Sequence, residues 1–146
     1  VNELGVGPFF LPDYTPDTFE QITYRGNPSA LAMKVAIAQA GNIQIELIEP
    51  VTEKCAYRDS VPKGQMGFHH MCVWTLDFES DLNYMQSLGY TAANTGKVRD
   101  LDFAYFDTRP LMGCMLEVVT KNVGTVSRFK EIAETARNWD GKDPIR

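Results

Sequence analysis

The sequence predicts an α+β domain organised as two unequal copies of one βαβββ unit, and three observations carry that expectation. Residues 67–120 read strand–helix–strand–strand–strand, while residues 4–50 read as a helix end followed by three strands. Both halves close on an apolar strand with a glutamate at its centre, Gln44-Ile45-Glu46-Leu47-Ile48 and Met115-Leu116-Glu117-Val118-Val119. Setting Leu88-Gly89-Tyr90 over Leu4-Gly5-Val6 aligns the halves and leaves the first copy without its opening strand and most of its helix.

In order, Val1-Asn2-Glu3-Leu4-Gly5 reads as the last turn of a helix with a glycine stop, and Val6-Gly7-Pro8-Phe9-Phe10 as a strand. Residues 11–29 hold Pro12, Pro16, Gly26 and Pro28 and are expected to form a loop. Ala30 to Ala40 is an apolar run whose alanines suit a helix or a strand. The Gly41-Asn42 turn and the period-two alternation of Ile43 to Ile48 decide for a hairpin of two strands. Pro50 ends the second strand, and residues 51–66, polar and broken by Pro62 and Gly64, read as a crossing linker.

The stretch Gly67-Phe68-His69-His70-Met71-Cys72-Val73-Trp74-Thr75-Leu76-Asp77 opens the second copy as a strand rich in β-branched and aromatic residues. Asp77 is a good N-cap, and Phe78, Leu82, Met85 and Leu88 recur at i, i+4, i+7 and i+10, one face of a helix. Further strands are expected at about 90–98, 101–107 and 114–120, then an amphipathic helix over about 124–138 with Val126, Phe129, Ile132, Ala133 and Ala136 facing inward. Trp139 anchors a polar tail. The expected division is a first unit over 1–50, a linker over 51–66, a second unit over 67–121, and a C-terminal helix and tail over 122–146.

A net charge of −5 and a pI near 5.0 speak against general nucleic-acid binding, which wants a basic face. No apolar run approaches the roughly 18–20 residues that cross a bilayer, so no membrane partner is expected. The three cysteines are odd in number and widely spaced; Cys72 and Cys114 lie in apolar runs and read as buried free thiols of a reducing, cytoplasmic compartment. Both histidines of the chain lie side by side, and strand alternation would send them to opposite faces. One shares a face with Phe68, Cys72 and Trp74, the other with Met71, Val73 and Thr75, so only one is expected to serve any one site.

Gln44-Ile45-Glu46-Leu47-Ile48-Glu49-Pro50, Gly67-Phe68-His69-His70-Met71 and Gly113-Cys114-Met115-Leu116-Glu117 together resemble the vicinal oxygen chelate superfamily, within its glyoxalase, bleomycin-resistance and methylmalonyl-CoA epimerase group. The resemblance spans about residues 4–120. It implies two βαβββ modules whose strands curve into an incomplete barrel around one divalent metal ion. It assigns metal ligation to Glu46, His70 and Glu117, with Glu46 and Glu117 also the catalytic carboxylates. A fourth ligand, His or Gln, is implied on an opening strand 19 residues before Gly5 (89 − 70 = 19), upstream of Val1.

Two carboxylates and an imidazole make a mixed nitrogen–oxygen set suited to Zn, Ni, Co, Mn or Fe. Such an ion can polarise a carbonyl, and a ligand glutamate can move a proton beside it. The resemblance therefore implies a lyase or isomerase acting on a small carbonyl or thioester substrate by proton transfer through a metal-stabilised enediolate, in a homodimer. A binding protein of the same fold without turnover is the alternative. An Fe(II) extradiol-type dioxygenase and an acyl-CoA epimerase stand behind it, although Lys34 is the only charged group on the strand where such epimerases place a base.

Overall fold

A computed structural model describes residue 3 and residues 5–146; the helix end read at Val1, Asn2 and Leu4 lies outside the described residues. Its strands are β1 (Asp13–Tyr14), β2 (Glu20–Tyr24), β3 (Asn27–Pro28), β4 (Met33–Ala40), β5 (Ile43–Pro50), β6 (His70–Thr75), β7 (Ala92–Val98), β8 (Leu101–Phe106) and β9 (Met115–Thr120). Its helices are α1 (Ala56–Ser60), α2 (Phe78–Ser87), α3 (Arg109–Met112) and α4 (Val123–Arg137), with a 3-10 turn at Pro16–Thr18. The α+β class holds. Two sheets, ordered β1-β4-β5 and β3-β2-β7-β8-β9-β6, face one another without closing into a barrel among the described residues.

The β4–β5 hairpin turns on Gly41-Asn42. Gly41 sits at φ +62°, where a side chain would be strained and glycine is not. The register sets Ile37 opposite Glu46 and Val35 opposite Ile48, so these four share a face. In the second half, β6, α2, β7, β8 and β9 follow the expected strand–helix–strand–strand–strand order. Asp77 caps α2 by accepting a bond from the Ser80 amide at 3.1 Å. Phe78, Leu82 and Met85 then cover Ala104, Phe106 and Val118. Leu88, the fourth member of that row, is 54% exposed, because the helix ends at Ser87 and its cap residue turns away.

Residues 11–29 are not a bare loop. Glu20–Tyr24 pairs antiparallel with β7, joining the first half of the chain to the second half's sheet. The prolines hid this strand, but they flank it, and Phe19 and Ile22 seat it in the core. Val6–Phe10 makes two isolated bridges, Phe9 with Ile145 and Phe10 with Ile37, in place of a full strand. The tail returns beside it: the Phe9 amide donates to the Pro144 carbonyl at 2.7 Å, and the Trp139 ring fills the space a side chain at Gly7 would need.

Residues 51–66 hold a short buried helix as well as a connection. Ala56 and Tyr57 on α1 join the main core with Cys55, Phe103, Tyr105 and Met115. Helix α4 spans the expected range and opens on Asn122, whose side chain accepts from the Thr125 amide at 2.8 Å. Ile132 is buried against Val35 and Ile37, with Phe129 beside it. Val126, expected inside, is 39% exposed. Cys55 and Cys114 are buried; Cys72, expected buried, is exposed because β6 is the outer strand of its sheet. Among the described residues no helix is long and apolar enough to cross a membrane.

Candidate metal centre

The site is assembled from three strands in two sheets. Strands β6 and β9 run parallel, with His70 opposite Met115 and Cys72 opposite Glu117. His70 and Glu117 therefore lie on one face of the six-stranded sheet, one step apart along neighbouring strands. Glu46 comes from the facing three-stranded sheet, on the side it shares with Ile37.

His70 Nε2 lies 3.4 Å from Glu117 Oε2 and 3.8 Å from Glu46 Oε2. One ligand atom from each of the three falls within 4.8 Å of the others. Their side chains are 9%, 11% and 31% exposed for His70, Glu117 and Glu46, so solvent reaches the group from the Glu46 side.

The donor set fits a divalent cation. Two carboxylates converge on one imidazole, leaving an excess of negative charge in a largely desolvated place. Donors each about 2.0–2.2 Å from a shared ion stand a little over 3 Å apart, close to the 3.4 Å between His70 and Glu117. The protonation pattern shows the same strain. Burial and the neighbouring Glu117 charge push the Glu46 carboxyl up to about 7, against the pull of His70. Burial would raise Glu117 too, but His70, with the Tyr105 hydroxyl and the Cys72 thiol, brings it below the usual range. Burial would lower His70, and Glu117 and Glu46 more than reverse that. Of two like-charged neighbours one keeps its charge and the other is the readier proton acceptor, here Glu117 and Glu46 respectively.

Around the three residues stands an aromatic wall. The Tyr57 and Tyr105 hydroxyls are 2.8 Å apart, and the Tyr105 ring centroid is 5.1 Å from that of His70. Burial first, and the Glu117 charge second, raise both phenols well above their ordinary value, so both keep their protons. Tyr57 could have been suspected from the apolar Cys55-Ala56-Tyr57 in an otherwise polar stretch. Tyr105 alternates with Phe103 on β8, opposite Glu117 on β9.

His69 departs from the expected arrangement. Its ring does not face away: Nδ1 lies 3.0 Å from His70 Nδ1, and Nε2 lies 3.0 Å from the Ala56 carbonyl oxygen. His69 precedes the first strand residue, so strict alternation does not bind it, and α1 offers a carbonyl and the Tyr57 ring 4.7 Å away. Burial pushes His69 down to about 4.

Tyr24 and Arg25 do not reach this group. Both bind the Asp59 carboxylate at 2.7 Å, tying β2 to α1. Arg109 forks onto Asp107 at 2.6 and 2.7 Å and reaches the Asp59 carbonyl. Lys34 pairs with Glu49 on the outer face. Trp74 sits 5.2 Å from Phe129, a helix-docking role. Two surface clefts, one by the C-terminal helix among Glu134, Asn138, Trp139 and Arg146 and one along Leu11 to Asp13, Met33 to Ala36 and Leu47 to Glu49, include none of the three converging residues.

A fold of two open sheets with carboxylates and an imidazole brought together between them defines a class, and the comparisons agree. Residues 2–106 match the glyoxalase/bleomycin resistance protein/dioxygenase superfamily, and the chain belongs to it. The matched span takes in Glu46 and His70 and stops short of Glu117. Methylmalonyl-CoA epimerase from Mycobacterium tuberculosis is similar in structure, with a TM-score of 0.56 and 14% identity over 86% of this chain and 78% of that one. A hypothetical protein from Bacillus halodurans C-125 is similar at a TM-score of 0.49 and 22% identity, covering 77% of each chain. No curated protein sequence matches at a significant level.

Proposed function

We propose that the protein is a metal-dependent lyase or isomerase that moves a proton beside the carbonyl of a small carbonyl or thioester substrate. The convergence of Glu46, His70 and Glu117 within 4.8 Å carries the reading. These three would hold the ion, which when bound would polarise the substrate carbonyl and acidify the adjacent C–H bond. Glu117, the more buried carboxylate and the one kept charged, serves as ligand. Glu46, the more exposed and more basic, is positioned to take the proton and return it. Tyr57 and Tyr105 keep their protons and exclude water from the closed side.

The paired carboxylates separate this reading from a binding protein, since a pocket that only sequesters apolar ligands gains nothing from collecting them. We also infer a homodimer. Met71, Val73 and Leu76, on or beside the unpaired edge of β6, are 50%, 43% and 87% exposed, surface that a second copy would cover.

The test is proton exchange. Protein loaded in turn with zinc, nickel, cobalt, manganese or ferrous ion is incubated in D2O with hemithioacetals of 2-oxoaldehydes and with 2-branched acyl thioesters. Deuterium entering the carbon beside the carbonyl, and abolished by Glu46→Gln, is expected. Protein that takes up no stoichiometric metal, with ligand binding unaffected by Glu117→Ala, would leave the binding-protein reading in its place. Catechol-dependent oxygen uptake by the ferrous form would point to dioxygenase chemistry.

A further inference from the structure

We infer that His69 is a positioning residue that fixes which nitrogen of His70 carries the proton, through a relay ending on the Ala56 carbonyl; the inference rests on the metal-centre reading above. His70 presents Nε2 to both carboxylates, so Nε2 is the atom that would meet the ion and must keep its lone pair. Its proton then belongs on Nδ1. That atom lies 3.0 Å from His69 Nδ1, which is an acceptor only if His69 carries its own proton on Nε2. His69 Nε2 in turn lies 3.0 Å from the Ala56 carbonyl oxygen, a group that can only accept. Each assignment forces the next, and the last one meets an acceptor.

The relay has structural support along its length. The His69 ring rests 4.7 Å from the Tyr57 ring, and the His69 carbonyl accepts from the Met115 amide at 2.9 Å, so backbone and ring are both held. Metal-binding histidines commonly donate their other N–H to a carboxylate or a carbonyl, which orients the ring and raises its basicity. Here a second histidine takes that place and passes the polarity to helix α1. A short connecting helix thereby acquires a part in the site that neither Ala56 nor His69 could have by touching the ion.

The experiment uses zinc-loaded protein, 15N-labelled at histidine, because without an ion the Glu117 and Glu46 carboxylates beside Nε2 would themselves hold a proton there. Long-range 1H–15N spectra assign each ring proton, and zinc titrations of the same proteins, started metal-free, measure affinity. Wild type should show His70 with its proton on Nδ1 and His69 with its proton on Nε2. His69→Gln, whose amide can accept from His70 and donate to Ala56, should retain a His70 Nδ1 proton protected from exchange with water and keep zinc affinity within about threefold. His69→Leu should leave that proton in fast exchange and weaken zinc binding about 10- to 100-fold, the range seen when an outer partner is lost. A zinc-loaded wild type with His69 protonated on Nδ1 overturns the proposal, as does a folded His69→Leu with unchanged proton exchange and affinity, or a His69→Gln as impaired as His69→Leu. If His69→Leu does not fold, the wild-type spectrum decides. Wild-type protein that takes up no zinc overturns the metal-centre reading and the proposal with it, whereas zinc uptake with the wrong His69 tautomer overturns the proposal alone.

Discussion

His70 Nε2 and Glu117 Oε2 stand 3.4 Å apart on adjacent parallel strands, although neither residue is directly opposite the other in the ladder. The diagonal matters. Direct opposition falls to Cys72, which places its thiol beside the Glu117 carboxylate. The imidazole is left to lean across the strand gap toward both glutamates.

Ligand removal gives the first prediction. Glu117→Ala and His70→Ala should each weaken zinc or nickel binding by more than the roughly 10- to 100-fold expected for an outer-shell partner. Isothermal titration against wild type measures this. A Glu117→Ala protein that binds metal as well as wild type would remove Glu117 from the ligand set.

Glu46 supplies a prediction in pH. In metal-free folded protein its carboxyl keeps a proton that the unfolded chain releases, so the folded state binds more protons. Stability should therefore fall as pH rises from the ordinary value of 4.5 to about 7. Glu46→Gln should lack that part of the decline, giving a flatter curve of urea midpoint against pH. Metal added within this window should expel protons, visible as a buffer-dependent binding enthalpy.

Helix α4 provides a packing test. Ile132 is 1% exposed between Val35 and Ile37, the latter opposite Glu46. Ile132→Ala should cost about 2–5 kcal/mol in denaturant unfolding. Loosening of the β4–β5 hairpin should follow, seen as faster amide exchange in β4.

Gly96 tests the junction between the two halves. A side chain there would run into Ile22 Cδ1 and meet the Phe103 ring at 2.9 Å. The Ile22 tip can rotate away, but the buried Phe103 ring has little freedom. Gly96→Ala should therefore cost about 1–3 kcal/mol, the usual range for overpacking. An unchanged midpoint would mean that β2 adapts without loss.

Elements with their own local signals were legible in the chain: the Gly41-Asn42 hairpin, the Asp77 cap and the helical spacing of α2, the strand pair β8–β9, and the run of α4. The fold class followed from them. The glutamates at the centre of two strands stood out because an ionisable group in an apolar run is expensive without a purpose. Other features had no local signal. Glu20–Tyr24 looks like loop until β7 supplies its partner, and α1 is too short to show a period. The exposure of Cys72 depends on which strand ends the sheet.

The sequence by itself determined that this is an α+β chain with a repeated strand pattern, and it singled out two glutamates and a histidine as candidate ligands. Periodicity and capping act over a few residues, and those features are local. Only the tertiary structure decided that Glu46 crosses from one sheet to meet His70 and Glu117 on the other. It alone turned the His69 ring toward His70 and brought Tyr57 and Tyr105 around them. Strand order and the facing of sheets are set by burial summed over the whole chain. A histidine one residue ahead of its strand answers to the helix beside it and not to the alternation that follows.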